Sequence, residues 1–522
     1  MKFPMKKQTN TQVKHKAKKC SLLGASLLLL ALMGGSATAQ NFPHIKTFGF
    51  DYIRFADNEA FLENLKWLAN RHDWIVGPKA KWPAQAVDYM DATTYYTIKD
   101  ENPNALIMKY LPFHSIAPTT MEWLEEWCRE NNKNPEDLYY HYYYNTTIRL
   151  SNGSTLEVPG FGGGSANTLE EARLRVRWNG GWVGINPSSQ TFRDAFQELS
   201  LYTVTVEGTT DTFAEGLFLD TFEGIVDERN WTSHLENTIE LRNIGTTEEV
   251  YAQARADLIA AKVELEAYLR NQTGNQDFRV HPNSADSDYI YNQYSSLYNE
   301  EFRDDLMDLS VEFLVTTTTN KRRVERLQQI YDDMEDGRLF FIRSQTNFAP
   351  PRVIPFEFTQ FALATHYLIN HKNAHFMYHY GNAGNYGGYP YGDPKPTHWH
   401  QNMEVNIGVP ASRTDNDYWG TSNTDRFYEL ASNSSYILLA REYSNALVLA
   451  KFGRGGFANI GANPTTHQLG GEYYPLLEDN TTGAAVTSVT LGESEGMILL
   501  KKEESSPLPR PRVTESNYEI RQ

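Results

Sequence analysis

Three features of the sequence predict an α/β fold, a closed (β/α)8 barrel of the TIM type followed by a small C-terminal antiparallel β-domain. Short apolar runs alternate with amphipathic helical stretches from residue 45 to about residue 420. About eight such runs occur, the later ones almost continuously hydrophobic. Beyond about residue 420 the helical stretches stop, and short strands separated by turn residues take over. Strands that alternate with helices pair in parallel and are covered on both faces, and eight such units in one domain close into a barrel. A doubly wound open sheet is the alternative.

The elements follow in order. Lys2, Lys6, Lys7, Lys14, Lys16, Lys18 and Lys19 precede the apolar run SLLGASLLLLALMGG, which ends at SATAQ. A basic stretch, a short apolar stretch and small residues are the signature of an export signal cut after Ala39. The run is shorter than the roughly 20 residues a membrane span needs, so no membrane span is expected and the product is secreted or periplasmic. The chain then divides into a barrel over 40–420, a sandwich-like β-domain over 421–502 and a polar, Pro-containing, disordered tail over 503–522. Cys128 is the one cysteine left after the cut, so no internal disulfide forms and a large core must hold the chain.

Within the barrel, strands are expected in IKTFGFDYIRF (45–55), DWIVGP (73–78), ALIMKYLPFHS (105–115), GLFLD (216–220), FRVHPNSA (278–285), DLSVEFLVTTTT (308–319), RLFFIRS (338–344) and AHFMYHYG (374–381). Helices are expected in MEWLEEWCREN (121–131), QTFRDAFQELSLY (190–202) and the stretch after Thr246. There Glu249 stands at capping-box spacing, and Val250, Ala254, Leu258, Ala261 and Leu265 form one apolar stripe. Residues 145–190 read as an irregular excursion. The β-domain strands are SSYILLARE, NALVLAKFG, GGEYYPLL, AAVTSVTL and GMILLKK.

Charge narrows the ligand. With the leader's seven lysines taken from 48, the rest of the chain holds 41 basic against 65 acidic residues, a balance of −24. Such a surface repels nucleic acid and polyanions, so a neutral glycan fits better than a sulfated or uronate polymer. Of the 31 Tyr and 10 Trp, many sit in polar loops, the tyrosines for example in YYHYYYN (139–145) and YHYGNAGNYGGYPYGD (378–393), where rings either pack as filler or stack on sugars.

The chemistry rests on carboxylates at strand ends. Residues at the C-terminal ends of barrel strands converge on one mouth. Asp220 ends GLFLD, the fourth strand, and Glu312 interrupts the apolar sixth strand, where a lone carboxylate must be paired or held neutral. Two carboxylates facing across a mouth suit glycoside cleavage, one protonating the leaving oxygen while the other attacks C1 or activates water. A helix cap for Asp220 and a structural salt bridge for Glu312 are the competing readings. Glu223, Asp51, Asp286 and Asp288 stand near other strand ends as reserves for the second carboxylate.

These pieces together resemble the secreted TIM-barrel glycoside hydrolases, including those described only as hypothetical glycosyl hydrolases. The matching segments are GLFLD, VEF, REYSNALVL (441–449) and VTSVTLGESEGMILL (486–500). The resemblance implies Asp220 as nucleophile and Glu312 as acid/base. Asp51, near the end of the first strand, is a further candidate for binding substrate. Export, a neutral substrate and ring-stacking aromatics together suggest a polysaccharide such as a galactan. Among such enzymes the chain resembles the β-agarases of glycoside hydrolase family 118, which implies agarose as substrate.

Other residues compete for roles. His281 and Asn283 end the fifth strand, where they either orient sugar hydroxyls or shape a turn. Tyr378 and His379 open the Tyr-, Gly- and His-rich loop of the eighth strand. Asp393, His398, His400 and Glu404 carry a His-x-His pattern, but without a closed ligand set the histidines fit sugar hydroxyls better than a metal, and Trp399 between them suits ring stacking. No cofactor is expected. GFGGGSAN lacks the following Lys-Ser/Thr of a phosphate cradle, and no nucleophile elbow is present. A glycan-binding protein on a degenerate barrel and a polysaccharide lyase remain as alternatives.

Overall fold

The computed structural model describes, with short breaks, residues 48–50, 69–76, 92–141, 144–149, 155–160, 168–175, 183–205, 214–220, 238–282, 308–311, 323–345, 356–379, 401–454 and 460–502. The chain divides into two units, Met1–Ala39 and Gln40–Gln522, of which the first lies wholly outside the described residues.

The strands in chain order are β1 (Phe48–Phe50), β2 (Trp74–Val76), β3 (Leu106–Pro112), β4 (Ser115–Ile116), β5 (Tyr144–Arg149), β6 (Thr155–Gly160), β7 (Val183–Gly184), β8 (Gly216–Asp220), β9 (Arg279–Pro282), β10 (Asp308–Val311), β11 (Leu339–Gln345) and β12 (Ala374–His379). The helices that cover them are α1 (Ala92–Glu101), α2 (Pro118–Glu130), α3 (Gln190–Val204), α4 (Thr247–Thr273), α5 (Arg323–Glu335) and α6 (Phe356–Leu368). Parallel pairing runs β1-β2-β3-β8-β9 and β10-β11-β12. β9 lies against β10 and β12 against β1, so eight parallel strands close a barrel in which β8 is fourth and β10 sixth.

Successive side chains of a strand point to opposite faces, and in this barrel both faces are apolar. Trp74, Val76, Met108, Phe218, Leu339, Phe341 and Met377 fill the lumen as one cluster. Their neighbours Ile75, Ile107, Leu217, Leu219, Val280, Phe340, Ile342 and Phe376 join the helices in the outer core. Gly216 opens β8 because a Cβ there would come within 2.8 Å of the Arg279 carbonyl and 2.9 Å of the Met108 side chain. The helix stripe is where its spacing puts it: Val250, Ala254, Leu258, Ala261 and Leu265 of α4 are all buried, and Thr246 closes a capping box with Glu249. The buried Cys128 thiol is pushed up to about 11 by desolvation first, with Asp137 and Glu125 adding to it, which leaves it unreactive at neutral pH.

The reading of 145–190 as irregular is corrected. β5 and β6 form an antiparallel hairpin with Ile148 opposite Leu156 and Thr146 opposite Val158. A two-stranded ribbon needs only such cross-strand pairs, with no long apolar run to reveal it in the sequence.

The C-terminal strands are β13 (Tyr428–Ser432), β14 (Tyr436–Glu442), β15 (Ala446–Gly453), β16 (Thr465–Pro475), β17 (Val486–Leu491) and β18 (Glu495–Leu500), ordered β13-β14-β15-β18-β16-β17 with antiparallel pairing. One sheet face, with Ile437, Leu439, Val448, Ala450, Phe452 and Ile498, continues the barrel's outer core, while Leu438, Leu447, Leu449, Val489, Leu491 and Leu499 form a second core on the other face. Helix α6 lies on the first face and is buried all round from Phe358 to Leu368. A helix buried on every side reads as continuously apolar, with no stripe. Contact is close enough that a Cβ on Gly496 would meet the Phe361 Cα at 2.6 Å.

Inside α6, His366 is fully buried with its ring stacked 4.4 Å from Phe376, and neither ring nitrogen has a hydrogen-bond partner. Desolvation, followed by repulsion from Arg441, pulls its pKa down from 6.5 to about 3. The folded chain therefore keeps His366 neutral, and its stability falls as pH drops from 6.5 towards 3, where only the unfolded state binds the proton. His366→Leu removes two unsatisfied polar atoms, so the unfolding midpoint is expected to rise by about 2 °C at pH 7 and by more at pH 5. Scanning calorimetry at both pH values checks this, and a lower midpoint for the variant at pH 5 would refute it.

Candidate active site

Asp220 is the last residue of β8 and is half-buried. It sits opposite Pro112 of β3, and the ladder runs one step further where the Phe113 amide donates to the Asp220 carbonyl at 3.1 Å. The aspartate backbone is thus held at the C-terminal end of two paired strands. Asp220 shares the parity of Gly216 and Phe218, which places it on the lumen face of β8. Its Oδ2 accepts a hydrogen bond from the Tyr110 hydroxyl, and the Tyr110 ring stacks on Phe218 at 6.2 Å and 20°.

Below this pair the lumen is a column of rings. Phe218 stacks on His281 at 5.6 Å, His281 on Phe341 at 4.2 Å, and the edge of His375 meets Phe341 at 5.7 Å. Both histidines are buried. Arg343, also buried, lies two positions beyond Phe341 on the same strand face, in register with Met377. The mouth thus rests on a floor of buried, mutually stacked rings.

Of the residues read from the sequence, Asp220 and His281 fall on one lumen wall, His281 beside Phe218 one step below the carboxylate. Tyr378 and His379 end β12, where only the backbone is described. Glu312 follows directly on Val311, the end of β10, and lies outside the described residues, as do Glu223, Asp51, Asn283, Asp286, Asp288, Asp393, His398, Trp399 and His400. Glu404 ends a short 3-10 turn, Gln401–Glu404. No cluster of His, Cys, Asp and Glu suited to a metal ion, and no helix long and apolar enough to cross a membrane, occurs among the described residues.

Sequence reading missed Tyr110, Arg343 and His375. The sign that singles out Glu312, a polar residue interrupting an apolar strand, is present for Arg343 in LFFIRS and for His375 in AHFMYH. Tyr110 carries no such sign, because a tyrosine in an apolar strand reads as core.

A buried charge cluster joins the two segments that leave the ends of β3 and β8. His141, from the β3 side, has its Nδ1 2.7 Å from Glu240 Oε1 and its Nε2 3.1 Å from Glu136 Oε2, while its amide donates to Glu240 Oε2 at 3.0 Å. Glu240 follows β8 by twenty residues, and the neighbouring Ile239 amide donates to the His141 carbonyl at 2.9 Å. Arg173 grips Glu136 with two bonds of 3.0 and 2.6 Å, reaches Glu125 at 3.0 Å and lies over the Tyr139 ring at 4.1 Å. Burial alone would lower the His141 pKa, but Glu136 and Glu240 overcome it and raise it from 6.5 to about 9. Burial alone would raise Glu136, but His141 and Arg173 bring it from 4.5 down to about 2.

The signs give a stability window. The His141 contribution is complete below pH 6.5 and is lost as pH rises through about 9, and that of Glu136 is complete above pH 4.5 and lost as pH falls through about 2. His141→Gln is expected to flatten the alkaline fall in thermal stability between pH 6.5 and 9, which is on the order of 3 kcal/mol. Thermal midpoints across that range decide it, and parallel curves for the two proteins would exclude the clamp.

No protein-family model matches the chain, and no curated protein matches it. Among solved structures it is similar to the trehalulose synthase from Pseudomonas mesoacidophila MX-45, with 11% identity, a TM-score of 0.47 and coverage of 88% of this chain and 98% of that one. A mutant of the isomaltulose synthase from Erwinia rhapontici NX5, solved in complex with its natural substrate sucrose, is similar at 11% identity and a TM-score of 0.46, covering 87% of this chain and 98% of that one. Identity this low, at TM-scores under 0.5, assigns this chain no activity.

Proposed function

We propose that the chain is an exported glycoside hydrolase cleaving a neutral polysaccharide, a galactan such as agarose, with Asp220 as nucleophile and Glu312 as acid/base. The observation that carries the reading is the placement of Asp220: a carboxylate at the C-terminal end of the fourth barrel strand, on the lumen face, bonded to a tyrosine hydroxyl. Apolar strands place no charge at such a point for packing, and in parallel barrels reactions occur at that end.

The chemistry follows from two carboxyl groups. Asp220 attacks C1 as the C1–oxygen bond breaks, and Glu312 delivers its proton to the departing oxygen. Water then enters C1, gives its proton to Glu312 and releases Asp220 as a carboxylate. The acidic balance of the chain and its loop aromatics favour a neutral polymer.

The test is reducing-end release by the chain from Gln40 onward on a panel of neutral and acidic polysaccharides, agarose included. Release from a neutral galactan that disappears in both Asp220→Asn and Glu312→Gln supports substrate and site together. Cleavage of uronate polymers with an unsaturated product would indicate a lyase. Retained binding to one glycan without any turnover would indicate a glycan-binding protein.

A further inference from the structure

We infer that the buried cluster around His141 is a lock that fixes the excursion carrying β5 and β6 to the chain that follows Asp220, and that grip on the polymer depends on it. The polymer half of the inference rests on the proposed function, whereas the lock does not.

The backbone gives the excursion a narrow neck. The chain enters it after His141 and returns at Arg173, and these two residues face each other in an antiparallel bridge. The Leu174 amide donates to the Tyr140 carbonyl at 2.8 Å, and Tyr139 bridges Ile185. β5 and β6 pair with each other in a two-stranded sheet that joins no other strand among the described residues. The neck is therefore what holds them to the barrel, and the Ile239 amide ties it at His141 to the segment after β8.

The side chains close the neck. Their bonds run in series from Glu240 to His141, Glu136, Arg173 and Glu125, so that each carboxylate meets a cation. Four pieces of chain contribute: the segment after β8, the two legs of the neck, the 3-10 turn Pro135–Leu138 and helix α2. Glu136, Glu240 and Arg173 are the charged groups beside His141, with Arg129 reaching Glu125 at 3.6 Å on the far side and the buried Tyr140 hydroxyl near Glu240. Both His141 ring nitrogens face carboxylates, so both must donate, and only the charged imidazolium does so. A neutral ring has one N–H. Whichever nitrogen keeps it, a lone pair faces the other carboxylate and the series is cut at one point. The two carboxylates hold the His141 proton up to about 9, so the lock is shut at neutral pH and slackens above that value.

The test of the lock is limited tryptic cleavage of the chain from Gln40 onward at pH 7 and pH 10, each rate taken relative to an unstructured peptide of the same sequence. In wild type the cut after Arg149, in β5, is expected to quicken about tenfold at pH 10, since cleavage follows the open population. The cut after Arg454, which follows β15 in the β-domain, should change little. In His141→Gln and Glu240→Gln the Arg149 cut should already be fast at pH 7 and no longer respond to pH. An equal Arg149 rate at both pH values in wild type, slow cutting in both variants at pH 7, or a parallel rise at Arg454 would each overturn the lock. On the polymer cleaved in the panel above, Glu240→Gln is expected to raise KM about tenfold and leave kcat within about twofold. A fall in kcat at unchanged KM would overturn the role in grip. A panel without turnover would instead remove the proposed function, with the cleavage rates still deciding the lock.

Discussion

Asp220→Asn is expected to lower kcat about a thousandfold or more, which corresponds to about 4 kcal/mol of lost transition-state stabilisation. The change is isosteric and keeps an oxygen that accepts from Tyr110, so the site geometry survives while the nucleophilic charge does not. Asp220 is half-buried, belongs to no apolar cluster, and ends its strand, so the unfolding midpoint should stay within about 2 °C of wild type. Activity loss without stability loss separates chemistry from folding. Steady-state kinetics alongside calorimetry decide the point, and a variant retaining a tenth of wild-type kcat would remove Asp220 from the mechanism.

Arg441→Met is expected to cost about 3 kcal/mol or more of stability and to loosen the β-domain from the barrel. Arg441 is fully buried in β14, yet its guanidinium serves helix α6. Nη1 donates to the carbonyls of Leu368 and Asn370, both at 2.9 Å, and to that of Tyr367 at 3.4 Å, while Nη2 reaches the Tyr331 hydroxyl at 3.3 Å and Nε the Asp425 carbonyl at 2.9 Å. The last carbonyls of a helix have no partner within it, and a cation there also complements the helix dipole. Tyr443 adds a second bond to the Tyr367 carbonyl at 2.6 Å. Methionine fills similar volume but takes the guanidinium donor from the buried carbonyls of Leu368 and Asn370, each a desolvation cost of about 1–3 kcal/mol, while the Tyr367 carbonyl keeps Tyr443. Lysine cannot reproduce the planar fork, so Arg441→Lys should rescue little. Calorimetry is expected to show a lowered transition that broadens or splits, and an Arg441→Met midpoint within 2 °C of wild type would refute the lock.

Much of the architecture was legible because it is written in short-range patterns. The apolar runs ending at Pro112 and Asp220 and the stripe Val250–Leu265 all lie where spacing puts them, since strand and helix periods act over a few residues. The strands that carry Leu438, Leu447 and Leu449 were equally plain, because Ile437, Leu439, Val448 and Ala450 make their other face apolar too and a core lies on each side. The β5–β6 hairpin was not, because its polar strands carry no run that stands out.

The sequence by itself determined the order of strands and helices, the placing of Asp220 at the end of the fourth strand, and the switch to antiparallel strands near the C-terminus. Only the tertiary structure decided which side chains meet there. Tyr110 and Asp220 are 110 residues apart, His141 and Glu240 are 99, and Arg441 and Leu368 are 73. Strand register, loop closure and helix docking set those meetings, and a residue's own neighbours in the chain carry no trace of which distant group the fold will bring beside it.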